Sequence, residues 1–259
     1  MNLSFSTRGW NTLSWETQLK DAVDMSFRGI EPYNIQEFPS LSGRGGAFHS
    51  YKQNETIREM KKHGIEIPCF DTSIDLSLPL SRDEMEKIDY LFNTASSMKT
   101  SYVAFSVLHD DDKQITDNLD TLLKKAEEAQ VCILLKTVGI YADTKRLREQ
   151  MDSYACDQLA ALWDMHHPFR DFNEDPDSTI RNLGGYVKHV HLRDSNDDGT
   201  YNLIGEGTLP IQGMMNALCS VDYNGYISLE WKTEWMTDLP DREIIFPHFL
   251  NYMRRFENP

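Results

Sequence analysis

Ala160-Ala161-Leu162-Trp163-Asp164-Met165-His166-His167-Pro168 is the stretch on which the reading of this chain turns. A short apolar approach delivers an aspartate and, three residues on, a histidine; Pro168 then stops a helix or ladder from continuing. A carboxylate and an imidazole this close at a strand end are candidates for metal binding or proton transfer. A capping aspartate followed by a His-rich loop would be written in the same letters. What separates the two readings is whether comparable strand ends recur elsewhere.

Working outward, the chain repeats element types rather than sequence. Strand-like runs at Leu3–Ser6, Gly29–Pro32, Ile65–Phe70, Tyr102–Ser106, Val131–Lys136, Leu159–Asp164, Val187–Leu192 and Tyr226–Glu230 alternate with helical patterns. One helix is capped near Ser14 and carries Trp15, Leu19, Ala22 and Val23 on one face; another presents Leu119, Leu122, Leu123 and Ala126. Further helices are expected near 55–62, 82–97, 144–151 and 176–183, with Pro210 opening the next and Ile245, Phe249, Tyr252, Met253 and Phe256 striping the last. Strict alternation implies parallel strands joined by right-handed crossovers. Eight such units without a linker predict one domain over residues 1–259, an α/β chain closed as a (β/α)8 TIM barrel with its active site at the C-terminal ends of the strands. An open doubly wound sheet is the alternative; it would usually carry a Gly-rich phosphate turn, and neither GxGxxG nor GxxxxGK[ST] is present.

Composition narrows the function. A net charge of -15 repels a nucleic-acid backbone, and the basic residues form only isolated pairs such as Lys61-Lys62 and Arg254-Arg255. No apolar run approaches the roughly eighteen residues of a membrane span, and no signal-peptide core opens the chain, so a soluble, cytoplasmic protein handling small molecules is expected. Cys69, Cys132, Cys156 and Cys219 are scattered without a CxxC pair; Cys69 and Cys132 sit in apolar strand-like runs, which suits buried thiols in a reducing cytosol.

Alternation along barrel strands places Lys136, Asp164, His191 and Glu230 inward at four consecutive strand ends, with Leu134, His189 and Ser228 facing the axis below them. Charges there must be paired, hydrogen-bonded or bound to a cation. An ion-paired plug, with Lys136 neutralising Asp164 and Glu230, is one reading. A divalent cation held by Asp164, His191 and Glu230 is the other.

The runs LWDMHHP, VKHVHLRDS, GEG and GYISLEW, in that order and spacing, resemble the xylose isomerase-like TIM-barrel superfamily, and within it the sugar phosphate isomerase/epimerase branch. The resemblance spans essentially the whole chain. It implies Asp164, His191 and Glu230 as ligands of one divalent metal (Mn, Zn, Co or Mg), His167 as a substrate-contacting histidine, and a ketose as substrate. Barrels of this type often form homodimers. The sequence departs from the family where a strand-five Glu ligand is normal: Lys136 stands there, and a second substrate-side Glu would fall at Ala142. Lys136 has three open roles. It can bridge Asp164 and Glu230 in a metal-free site, stabilise an enediolate beside a three-ligand metal, or act as a base or imine-forming amine.

The expected function is a sugar or sugar-phosphate isomerase or epimerase working through an enediolate, with lyase chemistry open on the same scaffold. Its catalytic groups would be Glu230, Lys136 and His167, and its substrate contacts His167, Arg193 and Trp231, with Trp235 as a second aromatic wall. A non-catalytic sugar-binding barrel or subunit without the metal is the alternative. A phosphodiester-cleaving repair enzyme, which the same barrel supports, would need extra His ligands and a basic surface that this chain lacks.

Overall fold

The computed structural model describes residues 1–232 and 242–256. Eight barrel strands follow in chain order: β1 (Asn2–Ser6), β2 (Gly29–Glu31), β3 (Phe70–Asp75), β4 (Tyr102–Ser106), β5 (Cys132–Lys136), β6 (Leu159–Asp164), β7 (Val187–Leu192) and β8 (Tyr226–Leu229). All are parallel, in the order β2-β1-β8-β7-β6-β5-β4-β3. Parallel bridges Gly29↔Glu66 and Tyr33↔Asp71 join the two ends of that sheet. The closure excludes the open doubly wound alternative.

Local chemistry explains how the chain returns to each next strand. Ser14 caps the helix Trp15–Met25, and a capping box of Ser81 and Glu84 opens Arg82–Met98. Five helices end on a left-handed residue, Ser26, Gly64, Lys99, Gln130 or Ala155, and the chain then turns into β2, β3, β4, β5 or β6. Two expectations shift. The third strand starts at Phe70 instead of ending there, because Pro68 has no N–H for a ladder; only Glu66 of the preceding segment bridges to β2. The residues after β6 form a short helix, His166–Phe172, instead of stopping at Pro168. Proline is tolerated in a first turn, where its missing N–H would have had no partner.

Alternation sorts the core into two layers. Ile133, Leu135, Trp163, Val190, Leu192, Ile227 and Leu229 pack outward in the main cluster beneath the helices. Cys69, Ala104, Leu134, Ala160 and Leu162 form a separate cluster inside the barrel. Among the described residues, no helix is long and apolar enough to cross a membrane.

Candidate active site

The inward strand ends meet at the C-terminal mouth. Asp164 on β6 lies opposite His191 on β7, and His191 lies opposite Ser228 on β8, two residues before Glu230. Lys136, Asp164, His191 and Glu230 are each at most 5 % exposed, so their charges depend on protein partners. A cavity of about 360 Å³ opens above them, lined on one side by Asp164, His167, His191, Arg193 and Glu230. Tyr33, Ser73, Ser106, Leu108 and Val138 line the other side. This volume is near the lower end for small-molecule sites. An equally large cavity lies at the opposite face, among the turns Gly184-Gly185 and Asp222–Gly225. Its walls are mostly turns and tyrosines, so convergent ionisable chemistry, and not size, singles out the mouth.

Arg193, one residue past β7, spans the two carboxylates. Its Nη2 donates to Asp164 Oδ2 at 2.8 Å and its Nη1 contacts Glu230 Oε2. Arg8, just beyond β1, donates from Nη1 to Glu230 Oε1, and its guanidinium lies over the Tyr33 ring. Asp164 Oδ1 accepts the His166 backbone N–H at 3.1 Å. Burial, the largest influence, would raise the Asp164 pKa, but the charges of Arg193, His167, His191 and His166 together outweigh it and hold the carboxyl well below its usual range.

Lys136 does not bridge Asp164 and Glu230. Its ammonium donates to Asp71 Oδ1 and to the Thr72 carbonyl, each at 2.7 Å, although the side chain still lines the cavity. The bridging role expected of Lys136 falls to Arg193, whose planar fork reaches two carboxylates at once.

A third buried carboxylate, Glu31 at the end of β2, accepts from His189 Nε2 at 2.5 Å and His191 Nε2 at 2.7 Å. Burial would lower the His191 pKa, yet the charge and hydrogen bond of Glu31, with the charges of Asp71 and Asp164, prevail and raise it; Glu31 itself is held low by the two imidazoles against its own burial. His189 also meets Ser228, which pairs with Ser4.

His167 sits on the helix after β6, its side chain 28 % exposed and facing the cavity. Its Nδ1 lies 2.7 Å from Asp171 Oδ2, one helical turn on, and its Nε2 is 3.9 Å from Asp164 Oδ2. The hydrogen bond to His167 lowers the Asp171 pKa. His166 turns away to Ser195 Oγ at 3.1 Å and stacks on Tyr201; burial, and then the Arg193 charge, push its pKa down to about 4.

Among the described residues, two groups have metal-ligand composition, with donor atoms within 4.8 Å of one another: Asp164, His191 and Glu230, and Glu31, His189 and His191. Neither is open to a resident cation as the side chains stand. In the first, each oxygen of Asp164 and Glu230 already contacts a protein donor, three of the four being guanidinium nitrogens. A cation at bonding distance from both carboxylates would sit against Arg193. In the second, both Glu31 oxygens hold histidine N–H groups.

Of the expected substrate contacts, His167 and Arg193 line the cavity; Trp231 is 2 % exposed and packs in the core beneath the helices. The alternation that points Glu230 inward sends its neighbour outward. Trp235 lies outside the described residues. Three contributors were not anticipated, Arg8, Glu31 and Asp171, while Asp71, a strand-three residue that could have faced the pocket, serves as the partner of Lys136. Glu31 was open to inference, as the inward residue that ends β2. Asp171 was too, as the helical i+4 neighbour of His167. The Gly-Glu-Gly turn is held by its backbone: Gly205 has φ +86, and Asp194 accepts the N–H groups of Gly205 and Gly207 at 2.8 and 3.0 Å.

The comparisons agree with this architecture. The chain is 21 % identical over 258 residues to fructoselysine 3-epimerase of Escherichia coli O157:H7, covering 92 % of this chain and 93 % of that one. A structure of D-psicose 3-epimerase with D-tagatose from Clostridium cellulolyticum H10 superposes with a TM-score of 0.82 at 13 % identity, covering all of both chains. The IOLI protein, solved with a zinc atom, superposes with a TM-score of 0.76 at 15 % identity, covering 99 % of this chain and 96 % of that one. Residues 19–255 match the family model described as xylose isomerase-like TIM barrel. On its strand order, its convergent mouth and that match, the chain belongs to the xylose isomerase-like TIM-barrel family.

Proposed function

We propose that this barrel isomerises or epimerises a small carbohydrate, a ketose or its phosphate, through an enediolate formed at the mouth. The observation that carries the reading is the His167–Asp171 pair beside two cations lining the same cavity, Arg193 and Lys136. A proton on His167 Nδ1 donated to Asp171 leaves Nε2 unprotonated and facing the cavity, the arrangement of a general base held by an orienting carboxylate. His167 removes the proton next to the substrate carbonyl. Arg193 and Lys136, both lining the cavity, supply fixed positive charge for the oxygen as it becomes an enediolate, and His167 returns the proton to a carbon of the intermediate. Glu230, with both oxygens on arginines, serves to hold Arg8 and Arg193 in place. The cation that polarises the substrate thus comes from the chain's own side chains in place of Mn, Zn, Co or Mg.

One observation favours a second reading, a barrel that binds a sugar without turning it over. Ala142, where a second carboxylate would face the substrate, is fully buried in the turn after β5. Deuterium wash-in from D2O, followed by NMR across ketohexoses and their phosphates, separates the two. Turnover predicts label at a carbon next to the carbonyl and a loss of exchange of roughly 10²–10⁴-fold in His167→Asn. Saturable binding with no exchange supports the second reading. Neither binding nor exchange across the panel overturns both.

A further inference from the structure

We infer that Arg193 is a built-in cation: its guanidinium occupies the position between Asp164 and Glu230 that a divalent ion would take, and this arginine keeps the site closed to metal. The inference rests on the site described above but not on its turnover, so either can fail alone.

Three observations carry it. Arg193 is 3 % exposed, and its two terminal nitrogens address different carboxylates, Nη2 on Asp164 and Nη1 on Glu230, so its charge is shared as a bridging ion's would be. The other oxygen of each carboxylate is also taken, by the His166 backbone N–H and by Arg8, and His191 directs Nε2 to Glu31. Finally, the neighbouring charge of Lys136 is spent on Asp71, so the permanent charge in direct contact with the Asp164 side chain is that of Arg193. A small divalent ion placed about 2 Å from both carboxylates would lie within van der Waals reach of the guanidinium, where like-charge repulsion adds to the cost of displacing the hydrogen bond to Asp164 and the ion pair with Glu230.

Removing the guanidinium should therefore uncover a three-ligand site of Asp164, His191 and Glu230, whose donors are already gathered within 4.8 Å. The experiment titrates Mn²⁺ and Zn²⁺ separately into the full chain, wild type and Arg193→Ala, by isothermal calorimetry, with bound metal counted after gel filtration. Arg193→Gln, nearer in volume, is run in parallel in case the alanine variant does not fold. The expected result is no retained metal in the wild type and one equivalent in a folded Arg193 variant, bound at least 100-fold tighter than by wild type and lost again when Asp164→Asn is added. The same ion should raise the Tm of the Arg193 variant and leave that of the wild type unmoved. One equivalent retained by the wild type and abolished by Asp164→Asn overturns the inference. So does a folded Arg193 variant that retains none, because something other than this arginine would then be excluding the ion.

Discussion

The floor and the mouth of the barrel are built from the same strands, two residues apart, and obey different rules. On β5 the inward positions are Leu134 and then Lys136; on β6 they are Ala160, Leu162 and then Asp164. The floor needs only volume, and small Ala104 and Ala160 beside Leu134 and Leu162 fill a narrowing interior. The mouth needs partners. Each charge there is paired with a named group from another strand or loop: Lys136 with Asp71, Asp164 with Arg193, Glu230 with Arg8 and Arg193. On β7 and β8 the polar network reaches a layer deeper, where His189 and Ser228 replace the apolar floor and meet Glu31 and Ser4. A change on the floor is therefore a question of volume, whereas a change at the mouth strands a charge.

The largest expected separation between the two follows from single truncations. Glu230→Ala leaves Arg8 and Arg193 without their shared carboxylate and should cost about 3–5 kcal/mol in urea unfolding, with further loss of any sugar binding. Leu134→Ala should cost roughly 2–4 kcal/mol by cavity formation while sugar binding survives in the folded fraction. If the floor variant lost binding as completely as the mouth variant, the two regions would not be separable.

A smaller effect sharpens the comparison from the acid side. His166, behind the mouth, has its pKa lowered from 6.5 to about 4, by burial first and by Arg193 second. Because the folded chain binds that proton less tightly than the unfolded chain does, this contribution to stability is complete above pH 6.5 and is lost as pH falls toward 4. Stability measured by urea unfolding should decline through that window by about 1–3 kcal/mol more in wild type than in His166→Gln. An equal decline in both would place the acid sensitivity elsewhere.

These contrasts mark what was legible in the sequence. Period-2 alternation and the regular return of strand-like runs gave the barrel, the direction of Leu134 and Lys136, and the meeting of Asp164, His191 and Glu230. Alternation fixes a direction and not a partner, which is why Lys136 was open to pairing with Asp164 when it pairs with Asp71. Arg8 and Arg193 reach the site from beyond strand ends, where no period governs the backbone and a long side chain can turn either way. Trp231 shows the converse: the rule that faced Glu230 inward already faced its neighbour outward, and the aromatic side chain obeyed it.

The joint between β2 and β3 is the thinnest in the barrel wall. Four main-chain bonds span it: Ile30 and Glu66 donate to Glu66 and Arg28, and Asn34 and Asp71 donate to Asp71 and Pro32. Glu31 stands on one side of the joint and Asp71 on the other, and each is tied across the interior, Glu31 to β7 and Asp71 to β5. The Asn34 side chain also exchanges hydrogen bonds with the Ser73 hydroxyl and backbone N–H across the joint, and the charged side chains add a hoop around these staves. Truncating either carboxylate would loosen the hoop where the wall has only two isolated bridges to hold it.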